Sequence, residues 1–429
     1  MNVSDSERIS TTLAQRGFEM TEDELDADIV ILNTCSVREK AEQKLYTRVG
    51  NFRHSGKKKP VIGVTGCVAQ LEGETLFKKI AGVDFVLGTQ ATGRVAEIVE
   101  RSLSSHKPLV DLNDRETDYD WTVADKYRHS PYVAFLPIIE GCNKFCTYCI
   151  VPFSRGRERS LLASQIIGQV QDLMKTGVRE VHLIGQNVNS YRPSSDDGLS
   201  GFDGKSPFSR LLRAVAATGI ERLKFTTSFP RDFNDDIVEA IESNENLCNW
   251  VHLPVQSGSD KVLAAMRRGH TVEKYKRKID RIKSSKRDIA ITTDIIVGFP
   301  GEDENDFDQT VELVEYCGFD SAYIFKYSPR PGTPAFELGD SVSADEKTRR
   351  FLELERRQKL SQQNSLHRYN DKVLKVLVER SSSRTLSGMS GHSTCHKVVN
   401  FEGPAELLGS IVDVRITDIK ANSLFGELN

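Results

Sequence analysis

Two hydrophobic patterns alternate along this 429-residue chain. Short continuous apolar runs have strand length, and the stretches between them carry apolar residues three and four apart, as one face of a helix requires. Residues 6–16 read as a helix, capped by Ser4 and stopped by Gly17, with Ile9 and Leu13 on one face. Residues 27–33 (ADIVILN) form a buried strand, and 37–53 a helix. A second strand at 61–65, a helix at 70–80 and a short strand at 84–87 follow. This order predicts an α/β sheet with helices against its faces.

Residues 101–128 read as a polar, aspartate-rich connection. Six strand-then-helix units follow, with strands at 132–139, 180–184, 222–226, 250–253, 289–296 and 321–325. Six parallel strands with outer helices make an open, incomplete barrel, whose active site belongs at the strands' carboxyl ends. Polar or glycine-rich segments recur there: Gly185-Gln186-Asn187, Thr227-Ser228, Pro254-Val255-Gln256-Ser257-Gly258 and Gly298-Phe299-Pro300-Gly301-Glu302. Each alone is compatible with an ordinary turn; the recurrence points to a site. Residues 343–367 read as a charged, amphipathic helical linker. Beyond it, short valine- and leucine-rich segments such as 374–379 and 411–416 alternate with Gly and Ser, predicting a small β-barrel.

Composition narrows the class. Hydrophobic residues at 38% and charged residues at 28% suit a soluble globular protein. No apolar run reaches membrane-span length, and the start Met1-Asn2-Val3-Ser4-Asp5 has no signal-peptide character. Eight cysteines without a dense framework suggest reduced thiols and a cytoplasmic location. A net charge of −3 does not advertise nucleic-acid binding, and acidic and basic residues balance in the C-terminal module. RNA contact would rest on local patches such as Lys57-Lys58-Lys59 or Arg349-Arg350 with Arg356-Arg357, each equally readable as a solvated face.

The chemistry concentrates in Gly141-Cys142-Asn143-Lys144-Phe145-Cys146-Thr147-Tyr148-Cys149. Three thiols at x3 then x2 spacing in one loop suit three corners of an iron–sulfur cube, leaving the fourth iron open for chemistry. Cys146 and Cys149 alone would supply half a zinc site or a redox pair; no His or Cys follows until His182, and a redox pair leaves Cys142 without a role. Cys35 and Cys67 each close a strand of the N-terminal sheet, so two thiols converge on one sheet edge, as ligands or as buried cysteines. Cys248 and Cys317 read as core residues.

The cysteine loop resembles that of the radical S-adenosylmethionine (SAM) superfamily. Over nearly its full length the chain resembles that superfamily's methylthiotransferase family, in the branch acting on N6-dimethylallyladenosine in tRNA. The strings that carry the likeness are Asn33-Thr34-Cys35-Ser36-Val37-Arg38-Glu39-Lys40, Val151-Pro152-Phe153-Ser154-Arg155-Gly156-Arg157-Glu158-Arg159-Ser160 and Gly185-Gln186-Asn187-Val188-Asn189-Ser190-Tyr191. His252-Leu253-Pro254-Val255-Gln256-Ser257-Gly258 and Tyr327-Ser328-Pro329-Arg330-Pro331-Gly332-Thr333-Pro334 agree.

The resemblance implies three domains: an N-terminal methylthiotransferase domain over 1–105 that lacks its first strand here, a partial (β/α)6 radical-SAM barrel over 128–358, and a β-barrel of the TRAM type over 361–429. It implies two 4Fe–4S clusters and SAM, with Cys142, Cys146 and Cys149 holding one cluster and Cys35 and Cys67 contributing to the second. Tyr148, Gln186, Asn187, Ser228 and Gln256 are the implied SAM neighbours. For Tyr148 loop packing, and for the others a turn role, is the competing reading. Arg155, Arg157 and Arg159 are candidates for substrate phosphate or the SAM carboxylate, or else a charged loop face. The family's first N-terminal cysteine lies in a Gly-Cys-Gln-Met-Asn string, and this chain opens at Met1-Asn2. Incomplete assembly of the second cluster is therefore expected. An internal methionine taken as the start, or a shortened protein, would explain it. The implied activity is methylthiolation at C2 of N6-dimethylallyladenosine next to the anticodon. The implied partners are a tRNA anticodon stem-loop and a reducing electron donor, and the expected state is a monomer. Another modified adenosine, a ribosomal protein, or a non-enzymatic iron–sulfur RNA-binding role are the rivals.

Overall fold

The computed structural model describes residues 1–35, 39–54, 59–105, 107–113, 123–381 and 388–429. The chain forms two compact units. The first comprises Met1–His129 with Glu140–Asn143 and Cys149–Glu158; the second comprises Ser130–Ile139, Lys144–Tyr148 and Arg159–Asn429.

The first unit is a parallel sheet of four strands in chain order, Ile29–Thr34, Val61–Gly66, Phe85–Leu87 and Leu109–Asp111. Successive side chains point to opposite faces, and the cores follow. Val64 and Val86 pack with Leu45, Val49 and Leu76 on one face. Phe85 and Leu87 pack with Ile9, Val95 and Val99 on the other. The last strand corrects the expectation of a polar connection. Its three residues are too short a run to register against charged flanks, yet they pair with Phe85–Leu87 along their full length. The helix expected over 70–80 is two helices, Cys67–Glu72 and Thr75–Lys79, separated by Gly73 at φ +51°. Lys57, Lys58 and, in the aspartate-rich segment, residues 106 and 114–122 lie outside the described residues.

The second unit carries the six expected parallel strands. Val133–Pro137, Glu180–Ile184 and Arg222–Phe225 form one sheet, and Trp250–His252, Ala290–Val297 and Ser321–Lys326 another. The Ser228 amide donates to the His252 carbonyl at 3.2 Å and Leu223 bridges Leu247, which joins the two sheets. Outward-pointing Val181, Leu183, Leu223, Phe225, Val251, Leu253, Ile291 and Ile295 pack against the surrounding helices. The alternate positions Glu180, His182, Arg222, Lys224, Trp250 and His252 are also buried. The barrel interior is therefore polar and aromatic, where a closed barrel of this kind is filled by branched apolar side chains.

Helix Ala344–His367 is not a linker. Ser343 caps it by accepting the Glu346 amide. Leu354 is fully buried in the main core, Gln358 donates to the Phe319 carbonyl, and buried Arg350 pairs with buried Glu302 at 2.8 Å. Its mixed composition hides this face because the buried contacts are largely polar. The C-terminal segment closes a five-stranded barrel of Val373–Ser381, Gly388–Ser393, Val398–Glu402, Ile411–Ile419 and Leu424–Leu428. Trp250 and Ala290 of the parallel strands pack into its core cluster. Arg222 donates to the carbonyls of His392 at 2.7 Å and Ser393 at 2.9 Å. Among the described residues, no helix is long and apolar enough to cross a membrane.

Candidate active site

The cysteine loop begins at Gly141, where φ is +77° and a Cβ would stand 2.1 Å from the Arg157 carbonyl oxygen, so only glycine fits. Cys142, whose amide donates to the Gly156 carbonyl at 3.2 Å, and Cys149 belong to the first unit; Cys146 belongs to the second. Cys142 and Cys146 are buried and Cys149 is half-buried. Thr147 fastens the loop's second-unit portion: its amide donates to Met266 O at 3.1 Å and its hydroxyl to Ala265 O at 2.8 Å. Its own carbonyl accepts the Ala335 amide at 2.8 Å. Lys144 pairs with Asp232 at 2.6 Å. Burial opposes ionisation of Asp232, yet hydrogen bonds from Lys144 and Arg231 hold its carboxyl below the usual range. Tyr148 is half-buried against Val262, Met266, Phe299, Tyr327 and Ala335.

The strand ends of the second unit carry the other sequence-predicted residues. Asn187, Ser228 and Gln256 are buried, and Gln186 is half-buried. Gln186 Oε1 and Ser228 Oγ are shielded from solvent and, among the described residues, have no hydrogen-bond partner, which is costly unless a ligand supplies one. Two residues here hold a left-handed backbone, Thr227 at φ +72° and Gln256 at φ +79°. For β-branched Thr227 this is a true outlier, and such strain clusters at functional sites. Both are clamped: the Val188 amide donates to Thr227 O at 3.0 Å, and Gln256 pairs with Asp294 and Ile296 through its amide and carbonyl, each at 2.9 Å.

Within the first unit, Cys35 follows Ile29–Thr34 directly and Cys67 opens the helix after Val61–Gly66. Thr34 and Gly66 are register partners in adjacent strands, so the two thiols leave neighbouring strand tips. Helix Cys67–Glu72 packs on Val151–Arg155, the helix that follows Cys149. Arg155 is not free to hold a phosphate or the SAM carboxylate. It is buried and paired with Asp5 at 2.5 Å and Glu140 at 3.4 Å. Burial pushes the Glu140 carboxyl up to about 7 against the pull of Arg155. Arg157 is exposed, while Arg159 lies half-buried in the short strand Arg159–Ser160. In the Arg349-Arg350 and Arg356-Arg357 patch every arginine is ion-paired, with Glu304, Glu346, Glu302, Glu353 and Glu315, and Arg350 is buried.

Sequence reasoning passed over Arg268. Its guanidinium is buried, donates to Pro254 O at 2.7 Å, and stands 3.5 Å from Cys146 Sγ and 3.4 Å from Tyr148 Oη. It also lies over the Phe229 ring, 4.5 Å from the centroid. Nothing in Arg267-Arg268-Gly269 marks the second arginine over the first. Among the described residues, no three His, Cys, Asp or Glu side chains stand as ligands of a single metal ion. A cubane cluster makes a different demand, since each thiolate binds a different iron corner.

Three family models match the chain: the radical SAM superfamily over 136–314, uncharacterized protein family UPF0004 over 1–88 and the TRAM domain over 367–428. The tRNA-2-methylthio-N(6)-dimethylallyladenosine synthase of Photobacterium profundum is 41% identical over 432 residues, covering 100% of this chain and 90% of the relative. The protein of that name from Solibacter usitatus is 43% identical over 433 residues, covering 100% and 95%. Among solved structures, the radical S-adenosylmethionine methyltransferase TsrM from Kitasatospora setae, with tryptophan and a SAM analog bound, superposes with a TM-score of 0.58 at 13% identity, over 78% of this chain and 72% of that one. That likeness is one of fold. The two sequence relatives, matched end to end along this chain, place it firmly: it belongs to the tRNA-2-methylthio-N(6)-dimethylallyladenosine synthase family of radical SAM proteins.

Proposed function

We propose that this chain methylthiolates C2 of N6-dimethylallyladenosine beside the anticodon of tRNA, in the cytoplasm and as a monomer. The domains divide at 1–105, 128–358 and 361–429. Cys142, Cys146 and Cys149 hold one 4Fe–4S cluster, and Cys35 and Cys67 contribute to a second. The observation that carries the reading is a three-thiol loop joined to an open six-stranded barrel whose strand tips present two buried oxygens, Gln186 Oε1 and Ser228 Oγ, that have no partner among the described residues. A polar ligand with several donors, such as the amino and ribose groups of SAM, answers that need. When bound, the cluster and SAM, supplied with an electron from an external reductant, provide the radical chemistry that an unactivated C–H bond requires.

The chain's own residues bind and orient. Gln186 and Ser228 accept from SAM, and Asn187 and Gln256 fix its position on the clamped strand tips. Tyr148, half-buried against Val262 and Met266, would contact the adenine. Thr147, anchored at three points, keeps the loop from relaxing away from the barrel. The tRNA base must leave its stack to reach the strand tips, as single-stranded loop bases do when read by proteins.

The test is anaerobic reconstitution followed by incubation with at least two equivalents of SAM (one for the methyl group, one for the radical), sulfide as sulfur donor, a strong reductant and dimethylallylated anticodon stem-loop. The expected results are cluster-bound iron, 5′-deoxyadenosine, and a methylthio nucleoside by mass spectrometry. Unchanged tRNA nucleosides in a deletion strain would rule out the substrate; failure to form 5′-deoxyadenosine would rule out the enzyme.

A further inference from the structure

We propose that Arg268 is a positioning residue that tunes the iron–sulfur cluster, donating a charge-assisted hydrogen bond to the Cys146 thiolate. The inference rests on the reading that Cys142, Cys146 and Cys149 hold that cluster. Arg268 is 5% exposed, and its fork is already oriented. One terminal nitrogen donates to Pro254 O at 2.7 Å, and the other faces Cys146 Sγ at 3.5 Å, a hydrogen-bonding distance for sulfur. The Phe229 ring supports the guanidinium plane from one side.

Its neighbours fix the backbone as well. Arg267 holds φ +56°, the Arg268 amide donates to Leu263 O at 3.0 Å, and Thr147 binds the adjoining carbonyls of Ala265 and Met266. The cysteine loop's second-unit portion and the arginine are thus registered to one another through main-chain contacts as well as through the side chain.

A donor aimed at a ligating sulfur draws negative charge off the cluster and stabilises the more reduced state, so it raises the reduction potential. A buried guanidinium does this strongly, because its charge is permanent and little screened. A cluster that must pass an electron to SAM needs a potential that physiological donors can reach. Arg268 would hold it within that range while leaving the open iron untouched.

The experiment compares wild type, Arg268→Gln and Arg268→Lys, reconstituted anaerobically in the full chain and matched for iron content. Midpoint potentials are measured by spectroscopically monitored redox titration, and SAM affinity by equilibrium binding. The expected result is a shift to more negative potential in both variants, larger for Gln than for Lys, which keeps the charge but loses the fork. Unchanged potentials in both overturn the proposal. Unchanged potentials with weakened SAM binding overturn it and assign Arg268 to the SAM carboxylate. Should Arg268→Gln fail to retain iron, the Lys variant decides by the same criterion. Wild-type protein that takes up no cluster overturns the ligand assignment itself, an outcome distinct from a loaded cluster with an unmoved potential.

Discussion

Ser228 is 1% exposed, and among the described residues its hydroxyl meets no acceptor or donor. An unsatisfied buried hydroxyl costs about 1–3 kcal/mol, so Ser228→Ala is expected to leave the ligand-free protein as stable or stabler. The same change is expected to weaken SAM binding about three- to tenfold, the worth of one modest hydrogen bond. Calorimetric binding and thermal unfolding on one preparation check both. Lys224 offers a second test. Burial pulls its ammonium from the ordinary 10.5 down to about 8. Between those values the unfolded chain binds more protons than the folded one, so this group's contribution to stability rises with pH. Lys224→Met removes the dependence. Its gain in melting temperature over wild type should be greatest below pH 8 and shrink toward pH 10; a gap that does not change with pH would refute the account. Cysteine spacing singles out Cys142, Cys146 and Cys149 as candidates, because ligand chemistry demands fixed residue types at short intervals. Lys224 and Arg268 stayed hidden, because what matters about them is what folding places within 4 Å of them.

Among elements, the six parallel strands were readable because each carries a run of outward apolar residues long enough to stand out from its flanks. Their inner faces were not. In Glu-Val-His-Leu-Ile over Glu180–Ile184 the alternation resembles a half-solvated strand, yet every residue is buried. The helix Ala344–His367 misled for the reverse reason: its binding face is partly ionic. Buried Arg350 bonds both the side chain and carbonyl of Glu302, and Glu302 in turn accepts the Gly298 amide at 2.8 Å. Removing one member of a buried pair leaves the other uncompensated, at about 3–5 kcal/mol. Arg350→Ala should therefore lower the unfolding midpoint strongly, whereas Arg356→Ala on the exposed face should change stability by less than about 1 kcal/mol. Equal effects in chemical denaturation would show that the helix does not dock through this ion pair.

For the whole molecule, the C-terminal barrel is structural as well as a candidate RNA module. Trp250 and Ala290 belong to its core cluster, and Arg222 loses two carbonyl acceptors without it. Deleting residues 368–429 is expected to expose these groups and yield aggregated or protease-sensitive protein, not a trimmed but intact core. Limited proteolysis and size-exclusion chromatography of the truncated chain check this. Another consequence follows from how the thiols are distributed. Cys248 and Cys317 are sealed in the interior, where burial pushes their thiols up to about 11 and about 12, so neither supplies an appreciable thiolate at neutral pH. Half-buried Cys35 and Cys149 are the more reachable sulfurs. Damage by air would accordingly fall on the proposed ligands and spare the framework, so a bleached preparation should regain its colour with fresh iron, sulfide and a mild thiol, without being refolded.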